Sequence, residues 1–563
     1  MRITYNDKLN KLLNPYLESL LKKKTSLDPE TLTLFDMFME DLDMGGRYGI
    51  FSEILEPRLE EIIREENIES IANLMDGRLN TLFRYMLGDE FAGLFRTFLQ
   101  LEARCPHTIG YGRRAQRSTH PSNHLDHARD AWLQFLKLRA TGFSVEAILR
   151  GGNTPEDIEE FSGYMNSSYW LAAQIAQGNE KVIEYLHQVL TSENNVHRLQ
   201  RWYLHAIVIS GHRPLLELEG KLLLAAKLQE GLRQAIVETM DEGCSESYLY
   251  LFSIIYNNGL QRFASVKRSI AVCTGIGEQD SSERITNKYV ELIWNFLNHP
   301  EAARNTLQSK DTVELYLALW SIGFYDTDEI RAIVPDIIRK GAKHQIQTLL
   351  YFLRCTQSSQ MNHLISKDAF EVWHDDPKVV AAILPLYMDG LYLSRYSDNK
   401  EAPTLSDYFE SPEEAVRHYG YLKQVYQSIS AKEIYSPYVF PWDCVVLTRS
   451  DVVHKMAYIA WMTNDIRLRE ELCTYLPALE SYSRASYIGI VLAHTESKVE
   501  QEYVLQSLGD RSSDIRDEAY KVLSEMSLSP EQYQNIEELL RFKYSEMRIN
   551  AINLLMKQPE AQL

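Results

Sequence analysis

Apolar residues recur along most of the chain at intervals of three and four positions, which is the spacing of an amphipathic α-helix. Helix punctuation accompanies this pattern. Asp376-Pro377 places a capping side chain before a proline in a first turn, and Gly178 and Gly259 follow helical runs where helices end. Alternating β-strand patterns and Asn-Gly turns between β-rich runs are missing from the sequence. We therefore predict an all-α chain.

A repeat of 32 residues marks the C-terminal part. It relates Arg484, Arg516 and Arg548. The same step relates four sets of apolar positions: Leu472, Val504 and Ile536; Leu476, Leu508 and Leu540; Ile488, Tyr520 and Ile552; and Val491, Leu523 and Leu555. Each copy reads as two amphipathic helices. We expect each repeat arginine to bond an acid or a carbonyl group of the adjacent repeat.

This pattern resembles a short HEAT repeat, in which an acid and an arginine open the second helix and a small residue allows close packing. HEAT repeats usually have about 40 to 47 residues, so these copies are short. Such units bury their apolar faces only by stacking. The predicted fold class is all-α. We expect an α-solenoid of irregular helical hairpins, with short HEAT-like repeats at the C-terminal end.

Composition shifts suggest how the chain is organised. Its 563 residues exceed the size of one compact core. We predict an N-terminal helical region at 1–100, an irregular solenoid at 101–393 and a HEAT-like region at 416–563. Between the last two, residues 394–415 are polar, acidic and broken by prolines, and we predict a linker or long loop there.

Net charge and cysteine spacing indicate the cellular environment and the kinds of partner. The net charge is 59 − 78 = −19, which disfavours non-specific binding to nucleic acid. Six cysteines lie far apart without a C-x-x-C pair, which favours a reducing cytoplasm. The N-terminus lacks the apolar core of a signal peptide, and the apolar runs are too short to span a membrane. We predict a cytoplasmic protein without membrane association.

One stretch departs from the acidic average. No acidic residue occurs between Glu102 and Asp126, whereas Arg113, Arg114 and Arg117 lie there in a glycine-containing loop. Guanidinium groups and free backbone N–H groups near a helix start can bind a phosphate, a nucleic-acid backbone or an acidic peptide. The alternative is that these arginines pair with carboxylates of the chain itself and hold the loop in place.

Histidines crowd into the same region. His120, His124 and His127 together resemble a ligand set for zinc or iron, and a metal-dependent hydrolase is one hypothesis. However, Pro121 turns the chain after the first histidine, and no matching ligand pair follows. The alternative is a polar first turn of a surface helix. We predict no metal and no cofactor.

A second basic and aromatic cluster contains Arg198, Arg201, Trp202, Tyr203 and His205. Aromatic rings interleaved with arginines can stack nucleic-acid bases. The alternative is that the aromatic residues, at helical spacing, belong to the core.

A third cluster places Arg262 and Arg268 around Phe263, which has core spacing. These arginines either contribute to a binding face, make structural salt bridges, or cap the end of the preceding helix.

Four motifs carry a further resemblance, between about residues 100 and 280. They are YGRRAQRS (111–118), AWL (131–133), GLR (231–233) and NGLQRFASV (258–266). They resemble the N-terminal region of unknown function in large bacterial molybdate metabolism regulator-like proteins, which also carry WGR-type modules. The resemblance implies a helical, HEAT-like region of a multidomain bacterial protein and implies no particular chemistry.

The sequence favours a non-enzymatic α-solenoid scaffold or interaction module. Gly275-Ile276-Gly277 is a lone G-x-G without the strand and third glycine of a nucleotide site. We expect the partner to be a protein, or C-terminal domains of the same protein beyond Leu563, because no polar capping repeat precedes that residue. Nucleic-acid binding through a local basic patch is the alternative function.

Overall fold

The computed structural model describes residues 7–43, 78–102, 104–105, 107–108, 117–118, 131–132, 134–140, 142–146, 168–191, 199–226, 229–276, 285–325, 327–354, 359–389, 391–396, 401–429, 434–437, 444–541 and 545–557. Contacts divide the chain into two compact units. Unit 1 comprises Met1–Ala332 and Cys355–Ser358, and unit 2 comprises Ile333–Arg354 and Ser359–Leu563.

Unit 1 is helical. Its helices are α1 (Asp7–Lys23), α2 (Pro29–Asp43), α3 (Arg78–Leu87), α4 (Asp89–Glu102), α5 (Ser168–Ala176), α6 (Glu180–Thr191), α7 (Arg201–Ser210), α8 (Arg213–Ala225), α9 (Glu230–Asp241), α10 (Ser245–Asn257), α11 (Ala264–Cys273), α12 (Asn287–Asn298), α13 (Pro300–Thr306) and α14 (Thr312–Tyr325). Short 3-10 turns occur at Lys24–Ser26 and Leu260–Arg262. Strands β1 (His107–Thr108) and β2 (Arg117–Ser118) pair antiparallel.

The helices of unit 1 from α5 onward stack in two layers. One layer contains α5, α7, α9 and α11, and the other contains α6, α8, α10, α12 and α14, with each helix packed on the next in its layer. This alternation arises when consecutive helical hairpins stack, because each hairpin covers its apolar face only with its neighbours.

Helix α15 (Thr327–Lys340) includes the division between the units. Unit 2 continues with α16 (Lys343–Arg354), α17 (Ser359–Trp373), α18 (Pro377–Ile383), α19 (Pro412–Ser428), α20 (Arg449–Thr463), α21 (Ile466–Leu472), α22 (Ser481–Ile490), α23 (Lys498–Ser507), α24 (Ser513–Glu525), α25 (Pro530–Glu538) and α26 (Ser545–Leu555). Short 3-10 turns occur at Leu405–Asp407, Leu476–Ala478 and Leu539–Arg541.

The end of unit 2 repeats the two-layer arrangement. Helices α22, α24 and α26 pack in one row, and α21, α23 and α25 pack in the other. The predicted all-α solenoid of helical hairpins is therefore confirmed within the described stretches. In those stretches no helix is long and apolar enough to cross a membrane.

The arginine contacts expected between repeats are confirmed at two of the three positions. Arg484 donates from Nη2 to Asp510 Oδ2 at 2.8 Å, and Arg516 donates from Nη2 to Glu546 Oε2 at 2.7 Å. Each bond joins one repeat to the next.

The predicted helix punctuation is also observed. The Asp376 side chain accepts hydrogen bonds from the backbone N–H groups of Lys378 and Val379, and Pro377 opens α18. Gly178 and Gly259 follow helices with φ of 74° and 61°, a left-handed conformation that glycine adopts without strain.

A small β-hairpin in unit 2 escaped the sequence analysis. Strands β3 (Ile434–Pro437) and β4 (Cys444–Leu447) pair antiparallel, with Ile434 opposite Leu447. Along β4, Val445 and Leu447 are buried and Val446 is exposed. Four-residue strands show too few alternations to distinguish them from loops in the sequence, and tertiary contacts with α18 stabilise them.

The predicted linker at 394–415 lies within unit 2. It contains a 3-10 turn and the start of α19. Near its beginning, Arg395 donates to Asp514 Oδ1 at 2.6 Å and to Glu518 Oε1 at 3.4 Å, which fastens the segment to α24. The other predicted domain boundaries stay predictions.

A tight turn after α18 depends on a buried histidine. Met388 has a positive φ of 52°, which is costly for a residue with a side chain. His363 Nδ1 accepts a hydrogen bond from Met388 N at 2.9 Å, and His363 Nε2 donates to Tyr408 O at 2.9 Å. His363 is therefore neutral with its proton on Nε2, and burial lowers its pKa to about 4.

One carboxyl group in the core of unit 1 is buried without a hydrogen-bond or charged partner among the described residues. Glu219 on α8 is fully buried, and in the described part of the chain neither side-chain oxygen has a hydrogen-bond partner. Burial raises its pKa well above the ordinary value. Since the folded-state pKa exceeds the unfolded one, Glu219 destabilises the fold increasingly as pH rises above about 4.3.

Replacing Glu219 by methionine is expected to raise the free energy of unfolding by about 1 to 3 kcal/mol at pH 7, because the buried carboxyl is removed. The gain should shrink at pH 4.5, and urea denaturation at both values measures it. Glu217→Met is the matched control on the same helix, since Glu217 is exposed and pairs with Arg213. Equal effects of the two changes would refute this account of Glu219.

Candidate functional site

Most of the predicted basic and histidine candidates lie outside the described residues. These are Arg113, Arg114, Arg198, His120, His124 and His127. The backbone of Arg117 lies in β2 opposite Thr108. The anion site therefore stays a prediction, and the metal site stays a hypothesis beside the prediction of no metal.

The described predicted arginines of unit 1 make contacts within their own unit. Arg201 Nη1 lies 2.9 Å from Glu238 Oε2, and its Nη2 lies 3.8 Å from Glu242 Oε1. Arg262 donates to the carbonyl groups of Asn258 and Gly259, so it caps the end of α10. Both arginines are exposed, and each makes these contacts from the surface of its unit.

The remaining predicted arginine, Arg268, lies on α11 and is half-buried. Its Nε is buried without a hydrogen-bond partner in the part of the chain that the structure describes. Phe263 is contacted instead by Arg233 and Arg262, whose guanidinium carbons lie 4.1 and 4.8 Å from the ring centroid. The structure does not place Arg268 in this stack.

A serine, a histidine and a glutamate line up in unit 1. Ser168 Oγ lies 2.8 Å from His205 Nδ1, and His205 Nε2 lies 3.1 Å from Glu242 Oε2. The order resembles a nucleophile, base and acid arrangement. However, Ser168 is fully buried and packs in α5, so a substrate has no access to its hydroxyl. The contacts connect α5, α7 and the end of α9.

A denser group of charges lies between α17 and α19 in unit 2. Glu371, Glu414 and His418 bring one potential metal-ligand atom each to within 4.8 Å of one another. Both carboxylates already have cationic partners. Arg417 Nη2 lies 2.7 Å from Glu371 Oε1, and Lys367 Nζ lies 3.1 Å from Glu414 Oε1.

The protonation states match a closed ion network. Burial alone would raise the pKa of Glu371, but the hydrogen bond from Arg417 and the neighbouring His418 outweigh it and lower the pKa. Burial lowers the pKa of His418, which contacts Tyr387 Oη through Nδ1 at 2.7 Å and Glu371 through Nε2 at 3.0 Å. A divalent cation would compete with both cationic partners for these carboxylates. We interpret the group as a structural joint.

The clearest accessible feature is at the last described repeat. Ile488 is fully buried, whereas Ile552, two repeats later, is 47% exposed. Leu476 and Leu508 are buried, whereas the equivalent Leu540 is 38% exposed. At both positions the last described repeat is more exposed than the first, and Tyr520, the equivalent of Ile552 in the repeat between them, is half-buried.

Further exposed residues lie on the same helix as Ile552. On α26, Arg548, Ile549, Ile552 and Met556 fall on one side of the helix, because residues three, four, seven and eight apart share a helical face. Ile549 and Met556 are 55% and 79% exposed. We call the set formed by these four residues and Leu540 the end face.

The sequence of the end face is more apolar than that of the preceding repeat. The positions equivalent to Ile549 and Met556 are Asp517 and Ser524. The exposed side chains of Ile549 and Met556 therefore stand where the preceding repeat has polar ones.

Part of this face was predictable from the sequence. The 32-residue step identified Leu540, Arg548 and Ile552 as repeat positions, but it could not show that they are open. Ile549 and Met556 were missed. The signal that would have found them is the change from polar to apolar at equivalent repeat positions.

The comparisons with known proteins leave the activity open. Residues 34–563 match the sequence model described as a family of unknown function, DUF5724. Neither a curated protein nor a solved structure matches the chain.

Proposed function

Since the chain belongs to DUF5724, a family of unknown function, we propose from its geometry that it is a non-enzymatic α-solenoid interaction module. The end face binds a protein partner. The observation that carries this proposal is the exposure of Leu540, whose equivalents Leu476 and Leu508 are buried. Ile552 is also exposed, whereas its equivalents Ile488 and Tyr520 are buried and half-buried.

The chemistry of the end face favours a protein over other partners. Four of its five side chains are aliphatic or thioether groups, whose burial supplies the main free energy of protein association. A nucleic acid would require a cluster of available cations. Arg201 does not favour such a role because its charge is paired with Glu238 within unit 1, and Arg262 donates to backbone carbonyl groups at the end of α10. Nucleic-acid binding stays a prediction for Arg113, Arg114, Arg117 and Arg198.

Further parts of the proposal extend the sequence analysis. The repeats of unit 2 are HEAT-like, and the protein is a cytoplasmic part of a larger bacterial protein of the molybdate metabolism regulator-like kind. The 32-residue step and the arginine contacts between repeats support the HEAT-like assignment. The dispersed cysteines support the cytoplasmic location.

A photo-crosslinking amino acid at position 552 tests the proposal in cells. The expected result is that position 552 captures a protein of defined mass. The same cross-linking amino acid at position 499 should not capture it. Val499 is the matched control because it is an exposed aliphatic residue of similar accessibility, 48%, on α23.

The captured protein is then identified, purified and titrated against the purified chain. Ile552→Glu is expected to weaken binding at least about tenfold, because a carboxylate would be buried against apolar groups. Val499→Glu should leave the affinity unchanged. Identical capture from both positions, or equal affinities of both variants, would contradict the proposal.

A further inference from the structure

The contacts between repeats in unit 2 follow a rule. An arginine at one fixed repeat position donates to a carboxylate of the next repeat, as Arg484 does to Asp510 and Arg516 does to Glu546. Both arginine side chains are largely buried by the contact. The carboxylate lies just before the second helix of the next repeat or in its first turn, since Asp510 precedes α24 and Glu546 lies near the start of α26.

Arg548 is the third arginine of this series. It lies 32 residues after Arg516 and on the same side of α26 as Ile552. Among the described residues it has no acidic partner, and it is exposed. Glu546, its neighbour on α26, is already bound by Arg516. The end face therefore has the apolar positions and the arginine of an interface between repeats.

We infer that the end face receives an α-helical hairpin that stacks as a further repeat and presents a carboxylate to Arg548. The carboxylate lies before the second helix of the hairpin or in its first turn, and aliphatic side chains of the hairpin cover Leu540 and Ile552. This inference rests on the proposed function and specifies the chemistry of its partner.

Two features favour this occupant over others. The preceding interfaces use the same positions to bind helices, so a helical hairpin continues an existing interface without rearrangement. Arg541 and Arg548 are both exposed at this end of the unit, and Glu537 and Glu538 are exposed beside Arg541. A carboxylate placed at Arg548 itself is therefore electrostatically complementary. An extended peptide would not reproduce the two-helix contact.

The test uses the full chain with a copy of residues 526–557 joined after Lys557, in place of 558–563. This 32-residue copy carries Glu546 into register with Arg548 and serves as the probe hairpin. Hydrogen exchange of α26 is measured by mass spectrometry with and without the probe. The expected result is slower exchange in α26, by about tenfold, because the hairpin covers it.

Charge reversal tests the role of Arg548. In the extended chain, Arg548→Glu, or lysine in place of the copied Glu546, should each remove most of the added protection, about tenfold, because like charges then meet. Combining both changes should restore it. Arg548→Glu in the unextended chain is the folding control, and it should leave the exchange of α22 and α24 unchanged.

Three outcomes overturn the inference. They are no added protection from the hairpin, protection that is insensitive to the charge at position 548, and a concentration-dependent dimer of the unextended chain that Ile552→Glu dissociates. In the last case a second copy occupies the face. Site-specific cross-linking from position 552 together with a failed hairpin would sustain the proposed function while refuting the inference. Absence of specific cross-linking from position 552 would refute the proposed function, and with it the inference that rests on it, even if the engineered hairpin stacks.

Discussion

Replacing Arg469 by alanine is expected to lower the free energy of unfolding of unit 2 by about 3 to 5 kcal/mol, because it leaves a buried charge without compensation. Glu500 is fully buried, and Arg469 donates to its two carboxylate oxygens at 2.8 and 2.6 Å. Thr495 Oγ1 also donates to Glu500. The pair joins α21 to α23, so its loss also weakens the stacking of two repeats.

Urea denaturation measures this loss of stability, and hydrogen exchange assigns it to unit 2. Arg467→Ala is the matched control, because Arg467 is an exposed arginine of the same helix that pairs with Asp465. Its cost should stay within about 0.5 kcal/mol. The double change Arg469→Met and Glu500→Leu should recover most of the lost stability. A cost of Arg469→Ala as small as that of Arg467→Ala would contradict the assignment.

Acidification from pH 6.5 to pH 4 is expected to destabilise unit 2 by about 3 kcal/mol through His363 alone. Burial lowers the folded-state pKa of this histidine to about 4, below its unfolded value of about 6.5. Its stabilisation is therefore complete above about pH 6.5 and is lost as the pH falls through the folded-state pKa. Protonated Nδ1 can no longer accept the hydrogen bond from Met388 N, which opens the turn.

The pH dependence of unfolding separates His363 from other groups. His454, whose pKa burial also lowers to about 4, contributes in the same direction. His363→Gln should flatten the slope between pH 6.5 and 4 and lower the stability at pH 7. His494→Gln, at an exposed position of the same unit, should leave the slope unchanged. An unchanged slope in His363→Gln would show that this side chain does not titrate as described.

The fold was predictable from the sequence because its determinants are local. Helical spacing, the Asp376-Pro377 start and the glycines after helices are readable within one turn or two. The 32-residue step also predicted that Arg484 and Arg516 each bond a group of the adjacent repeat, since stacked repeats convert a sequence period into a spatial contact. The partners themselves, Asp510 and Glu546, are visible only in the structure. The hairpin of β3 and β4 was missed because contacts from α18 determine it.

The candidate site was only partly predictable. The sequence shows where charged residues cluster. Whether such a residue can bind a ligand depends on whether another side chain already pairs with it in the folded protein. Arg201 is paired with two glutamates from a different helical segment, which no local pattern reveals. The ion network of Glu371 and His418 joins residues 47 positions apart. The exposure of Ile552 depends on which elements pack beside its helix. It could therefore be determined only from the structure.

Hydrogen exchange of the purified chain, alone and with the protein captured from position 552, tests the central claim most directly. The account predicts that protection on binding concentrates in α25 and α26, and that Ile552→Glu abolishes it while Val499→Glu does not. Protection confined to other helices, with exchange in α26 unchanged, would contradict the assignment of the end face as the binding surface.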